Sequence, residues 1–129
     1  IDIRIEVPAV SAADIIAPLP CEASEAVAKR VLKARNIQQK RYGKIDMGQK
    51  TNAAVSGAII EETAVIGNDA KQLMVEAANV MKFSARAYHR ILKVARTIAD
   101  LDGAEQVGKI HLAEAIAYRV SSKKFANAA

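Results

Sequence analysis

Hydrophobic and polar residues alternate strictly over the first eight positions, IDIRIEVP. Ile1, Ile3, Ile5 and Val7 fall on one side, Asp2, Arg4 and Glu6 on the other. Period two is the mark of a half-buried strand, and Pro8 ends it. No second strong strand follows, so its backbone groups lack a partner within the chain, and it is expected to be disordered here. The pattern then turns helical. Ser11 and Asp14 open a short helix that stops before Pro18. Beyond Pro20, Ser24 is placed to cap a long helix to about Arg41, with Gly43 as its stop. Its apolar stripe is narrow: Val27, Val31, Leu32 and Ala34.

Residues 44–55 carry Gly48, Asn52 and little periodicity, which predicts a loop, and Ser56 can cap a short helix over about 57–63. Asn68 or Asp69 starts a helix with Leu73, Met74, Ala77, Ala78 and Met81 on one side. Ser84 caps the next, to about Leu101, with Gly103 just past its end and Tyr88, Ile91, Leu92, Ala95, Ile98 and Ala99 facing inward. The last helix covers about 110–120 and buries Leu112, Ala115 and Ile116, with Tyr118 beside them. The tail SSKKFANAA is expected to fray. The fold class is therefore all-α for the most part, a helical bundle preceded by one extended strand.

Composition narrows the function classes. The chain has 129 residues, about one domain, and half of them are hydrophobic. With three Tyr, two Phe and no Trp, the core must be aliphatic, with much Ala for close helix packing. Net charge is +5, which invites an anionic partner. Cys21 is the lone cysteine, so no internal disulfide forms, which fits a reducing, cytoplasmic setting. No apolar run reaches about 20 residues, so no membrane span is expected. A first residue other than Met, inside a strand-like run, suggests that sequence precedes it.

Several apparent motifs fail on context. Gly103 to Lys109 match the phosphate-loop spacing G-x-x-x-x-G-K, but Ile110 follows where a hydroxyl should bind Mg²⁺, and the segment follows a helix rather than a strand. A helix–helix turn is the better reading. His89 and His111 have no second ligand at metal spacing on their own helix faces. Glu61 and Glu62 lack a positioned nucleophile, and Cys21 lacks a neighbouring base. No metal site and no catalytic residue is assigned.

Two basic features remain. Between residues 27 and 50 stand Lys29, Arg30, Lys33, Arg35, Lys40, Arg41, Lys44 and Lys50 against Asp46 alone. They could meet nucleic-acid phosphates, or simply form a solvated face. The Ser84 helix is sharper. Arg86, Arg90, Lys93 and Thr97 lie within about 60° of one face, and Arg86 stands in the first turn, where amide groups and the helix dipole favour a phosphate. Arg96 points about 80° away from Arg86 and is expected to matter less. The alternative is an ordinary polar face opposite Ile91 and Leu92.

The run Phe83-Ser84-Ala85-Arg86-Ala87-Tyr88-His89-Arg90-Ile91-Leu92-Lys93-Val94-Ala95-Arg96-Thr97-Ile98-Ala99-Asp100-Leu101 resembles the signature of magnesium-chelatase-like AAA+ ATPases, nearest the YifB/ComM competence-protein branch. His111-Leu112-Ala113-Glu114-Ala115-Ile116-Ala117-Tyr118-Arg119 is similar to that family's ending, as are the first eight residues and the stretch around Arg30 to Arg35. Cys21-Glu22-Ala23-Ser24 departs from a common Gly-Glu-Ser-Ser, which bears only on the helix start. The resemblance implies a last core strand over 1–10, a basic helical insertion over 11–67, a helical lid over 68–120 and a tail over 121–129. Arg86, with Arg90 as a second candidate, matches the sensor-2 arginine that reaches the γ-phosphate of ATP. ATP, Mg²⁺ and an upstream AAA+ core would then belong to a parent protein that forms a ring, a hexamer by resemblance. Lys29, Arg30, Lys33, Arg35, Lys40 and Arg41 are the DNA-contact candidates if the parent is a DNA-acting motor of natural transformation. A chelatase subunit for tetrapyrrole metallation and a free-standing DNA-binding module are the alternatives.

Overall fold

The computed structural model describes residues 2–7, 9, 22–44 and 51–128, with side chains described as far as residue 119. The short helix expected after Ser11, Cys21 and Lys50 lie outside the described residues. Among the described residues, five α-helices follow one another: α1 (Ser24–Tyr42), α2 (Gly57–Thr63), α3 (Asn68–Met81), α4 (Ala85–Asp102) and α5 (Lys109–Ala128). Helix α4 is the centre of the arrangement and touches α1, α2 and α5, while α3 packs on α5.

Local chemistry sets most helix ends. The Ser56 hydroxyl accepts from the Ile59 amide, and the Ser84 hydroxyl from the Ala87 amide, so each satisfies a first-turn donor. Gly103 ends α4 at φ +74°, the left-handed conformation that glycine adopts without a Cβ penalty. Lys82 takes the same region, φ 49°, to end α3. Two ends differ from expectation. Ser24 is the first helical residue of α1 and Ala23 holds the cap position with no side-chain bond. Helix α5 continues through the tail to Ala128. The segment SSKKFANAA has no Gly or Pro to stop it, and Lys and Ala are good helix formers.

Two apolar clusters adjoin along α4, with Ile91 in one and its sequence neighbour Leu92 in the other. Ala70 and Met74 of α3, Ile91, Ala95 and Ala99 of α4, Val107, and Leu112 and Ala115 of α5 form the larger. The smaller joins Tyr42, Val55, Ile60 and Ala64 to Leu92. Ala95 and Ala99 on α4 let the neighbouring helices of the larger cluster approach closely, which is how a chain with few aromatics closes its core. Residues 65–67 and 107 add a tie that periodicity does not reveal. Ile66 and Val107 form an isolated parallel bridge: the Val107 amide donates to the Val65 carbonyl at 2.8 Å and the Gly67 amide to the Val107 carbonyl at 3.1 Å. Residues 103–108, with the phosphate-loop spacing, are a turn between two helices.

Two expectations about burial need correction. Residues 2–7 form no strand, and Ile3, Ile5 and Val7 are exposed. The alternation has no sheet to face among the described residues. On α1, Val27, Val31 and Leu32 are exposed, and the buried positions are Ala34, Gln38 and Tyr42. Only the C-terminal half of this helix meets α4, and it does so through a polar face.

Candidate functional site

The first two turns of α4 and the turn before α2 enclose a cleft of about 500 Å³, lined by Asp2, Ala53, Gly57, Arg86, His89, Arg90 and Lys93. The Ser84 cap fixes where α4 starts, and the helical repeat then brings Arg86, Arg90 and Lys93 to one wall. Arg86 is exposed and makes no ion pair or hydrogen bond among the described residues. Arg90 Nε lies 3.3 Å from the Asp2 carboxylate. Lys93 Nζ donates to the Ala53 carbonyl at 3.3 Å. His89 Nε2 is 2.8 Å from Glu61, and as a carboxylate only accepts, that nitrogen carries the proton. Gly57 is needed for this approach: a Cβ there would lie 2.5 Å from His89 Nδ1. Three cationic side chains against one acid suit an anion with several charged oxygens, such as a polyphosphate.

Behind the cleft lies a buried polar cluster that sequence reasoning missed. Asp100 on α4 is 2 % exposed and takes a two-pronged ion pair from Arg41 at the end of α1. It also accepts from Arg96 Nε at 3.1 Å and from Asn52 Nδ2 at 2.9 Å. Arg96 is 1 % exposed, and its other nitrogens donate to the carbonyls of Ala104 (2.6 Å) and Glu105 (2.8 Å), fastening the turn after α4. Asn52 is saturated: it donates to Thr97 as well, accepts from Tyr42 (2.6 Å) and Arg41 (3.2 Å), and its amide donates to Gln38.

The electrostatics follow from burial and pairing. Burial pushes the Asp100 carboxyl up, but hydrogen bonds from Arg41 and Asn52 and the charge of Arg96 outweigh it and hold the group below its ordinary value. The bond to Asp100 raises Arg41, and burial lowers Arg96. One signal for this cluster stood in the sequence: Arg96 and Asp100 are an i, i+4 pair of opposite charges amid Leu92, Ala95 and Ala99.

The other candidates separate. Lys29, Lys33, Arg35 and Lys40 are exposed along α1, and Arg30 pairs with exposed Glu22 at 2.5 Å. Arg41 is different. Its guanidinium turns inward to Asp100, which removes it from the set that could meet phosphates from outside. Arg96 is no neutral surface position but a buried structural cation. His111 caps the start of α5: its Nδ1 accepts from the Gly108 amide at 2.9 Å, so Nε2 carries the proton toward Asp102. Among the described residues no three His, Cys, Asp or Glu side chains form a metal-holding group, and no helix is long and apolar enough to cross a membrane.

A helical domain built around one capped helix, with a cationic wall at its start, is the class that fold and site define. The family model described as "Magnesium chelatase, subunit ChlI C-terminal" matches residues 21–119. The chain therefore belongs to the magnesium-chelatase C-terminal family. It is 45% identical over 98 residues to the Competence protein ComM of Haemophilus influenzae, covering 76% of this chain and 18% of that protein. It is 38% identical over 98 residues to YifB of Salmonella typhimurium, with the same coverage. To YifB of Escherichia coli it is 35% identical over 101 residues, 78% of this chain and 19% of that one. The chain thus spans less than a fifth of the length of these relatives.

Proposed function

We propose that this chain is the helical lid of a longer, ring-forming AAA+ ATPase that acts on DNA, with Arg86 as its γ-phosphate contact. The observation that carries the reading is Arg86 itself. It stands in the first turn of α4, exposed and without a partner among the described residues, on the wall of a cationic cleft. A group that served the fold would be paired, as Arg41 and Arg96 are. The cleft's residues fit a polyphosphate by charge and by donor type. ATP with Mg²⁺, bound to an upstream core, would supply the phosphoanhydride that is hydrolysed. Arg86 would bind and orient its terminal phosphate, with Arg90 beside it once Asp2 gives way. In this reading residues 68–120 are the lid, 11–67 a basic insertion and 1–10 the last strand of the core.

The exposed cations Lys29, Arg30, Lys33, Arg35 and Lys40 supply the second half of the proposal, a DNA-binding surface on α1. One relative's name, Competence protein, supports DNA as substrate, and the single cysteine fits a cytoplasmic setting. The family's name favours a second reading, an ATPase subunit in metal insertion into a tetrapyrrole. ATP turnover of the full-length protein separates them. With Mg²⁺ present throughout, stimulation by DNA and indifference to an added porphyrin are expected; the reverse pattern would establish the chelatase reading instead.

A further inference from the structure

The cleft holds one more cation than the Arg86 reading uses, and the buried cluster explains how it is held. We propose that Lys93 is a further phosphate-binding residue of this cleft and that Asn52 is the residue that positions it. This rests on the reading of the chain as an ATPase lid.

Lys93 is two helical turns beyond Arg86 on the same wall, and it lines the cleft together with Ala53. Its ammonium is set by one contact, the Ala53 carbonyl at 3.3 Å. Lysine is a flexible cation, and placing it near an anion in advance reduces the entropy lost on binding. That carbonyl belongs to a turn, and the turn is held by its neighbour. Asn52 is 1 % exposed, and its side chain and amide engage Gln38, Arg41 and Tyr42 of α1 and Thr97 and Asp100 of α4. Among the described residues no other side chain of 51–55 makes a hydrogen bond to α1 or α4; Val55 adds an apolar contact to Tyr42 and Leu92. Asn52 thus fixes the height of the Ala53 carbonyl over α4, and through it the direction in which Lys93 points. Asp2, Ala53 and Lys93 also line a neighbouring cleft of about 700 Å³, so Lys93 stands on the border between the two.

The test is calorimetric titration of the full-length protein with Mg²⁺ and a non-hydrolysable ATP analogue. Variants are Lys93→Ala, Asn52→Ala, the two together, and Arg86→Ala, with folding checked by circular dichroism. Lys93→Ala should weaken binding about tenfold, as for loss of a charged hydrogen bond. Its affinity should also depend less on salt, since one cation no longer meets the anion. Asn52→Ala should weaken binding severalfold, and the double variant should bind no more weakly than Lys93→Ala alone. That non-additivity is what a residue acting through Lys93 must show and a general structural defect would not. Should Asn52→Ala not fold, Thr97→Val removes one of its hydrogen-bond partners more gently and enters the same cycle. Wild-type affinity in folded Lys93→Ala overturns the proposal, and additive losses overturn the positioning role. Wild-type affinity in Arg86→Ala would instead overturn the lid reading beneath it.

Discussion

Replacing Asp100 by Asn should be among the most damaging single changes in the chain, although a carboxylate becomes an amide of nearly the same shape. The substitution removes the negative charge that Arg41 and Arg96 share, and it places an NH₂ group or a neutral oxygen against their donors. Breaking a buried ion pair from one side costs about 3–5 kcal/mol. Arg96 keeps its bonds to the Ala104 and Glu105 carbonyls, and Arg41 is partly accessible to water, so the loss should fall near the lower end, about 3 kcal/mol. For a chain of 129 residues that corresponds to a Tm lower by about 10 °C. The gap must also depend on pH. Asp100 has its carboxyl held below the ordinary value, so its contribution is present in full above the unfolded pKa of about 3.9 and is lost as pH falls through the folded pKa. Urea unfolding of wild type and Asp100→Asn, followed by circular dichroism between pH 7 and pH 2.5, gives both quantities. The stability difference should be about 3 kcal/mol at pH 7 and shrink below about pH 4. A difference within about 0.5 kcal/mol at pH 7, the range of an ordinary surface site, would refute the role assigned to the cluster.

Gly57→Ala should displace the His89 ring, since a Cβ there meets Nδ1 at 2.5 Å and Cε1 at 2.6 Å. The ring is part-exposed and can swing away, so a loss of about 1–2 kcal/mol in urea unfolding is expected, with the His89–Glu61 contact broken; no change would mean the close approach is incidental. Reversing Lys29, Arg30 and Lys33 to Glu in the full-length protein should weaken DNA binding and flatten its salt dependence, because fewer counterions are released. Unchanged binding at low salt would leave α1 as a solvated face.

Much of this fold was legible because its signals are local. Ser56, Ser84 and Gly103 act within one turn of where they stand, and the apolar period of α4 is carried by Ile91, Leu92, Ala95 and Ala99 in a single run, so α2 and α4 lie where the pattern puts them.

 What pattern could not reveal are the pairings made at long range. Arg41 reads as one more cation in a basic stretch until Asp100, 59 residues later, is seen to face it. The buried side of α1 is Ala34, Gln38 and Tyr42 rather than Val27 and Val31, because Gln38 and Tyr42 bond to Asn52 and Tyr42 also packs against Leu92 and its cluster. The Ile66–Val107 bridge joins single residues and so leaves no period to detect. Arg86 was legible as a candidate from its place after Ser84. Its lack of a partner and the cleft around it required the structure.

The most direct test of the lid reading is ATP turnover by the full-length protein carrying Arg86→Ala. Because Arg86 is exposed and unpaired among the described residues, the variant should fold normally, with a stability change within about 0.5 kcal/mol. Loss of a charge-assisted phosphate contact is worth roughly 1.5–3 kcal/mol, so turnover should fall by at least about tenfold. Arg90→Ala, whose guanidinium is shared with Asp2, should show a smaller fall. Wild-type turnover in a folded Arg86→Ala protein would contradict the account.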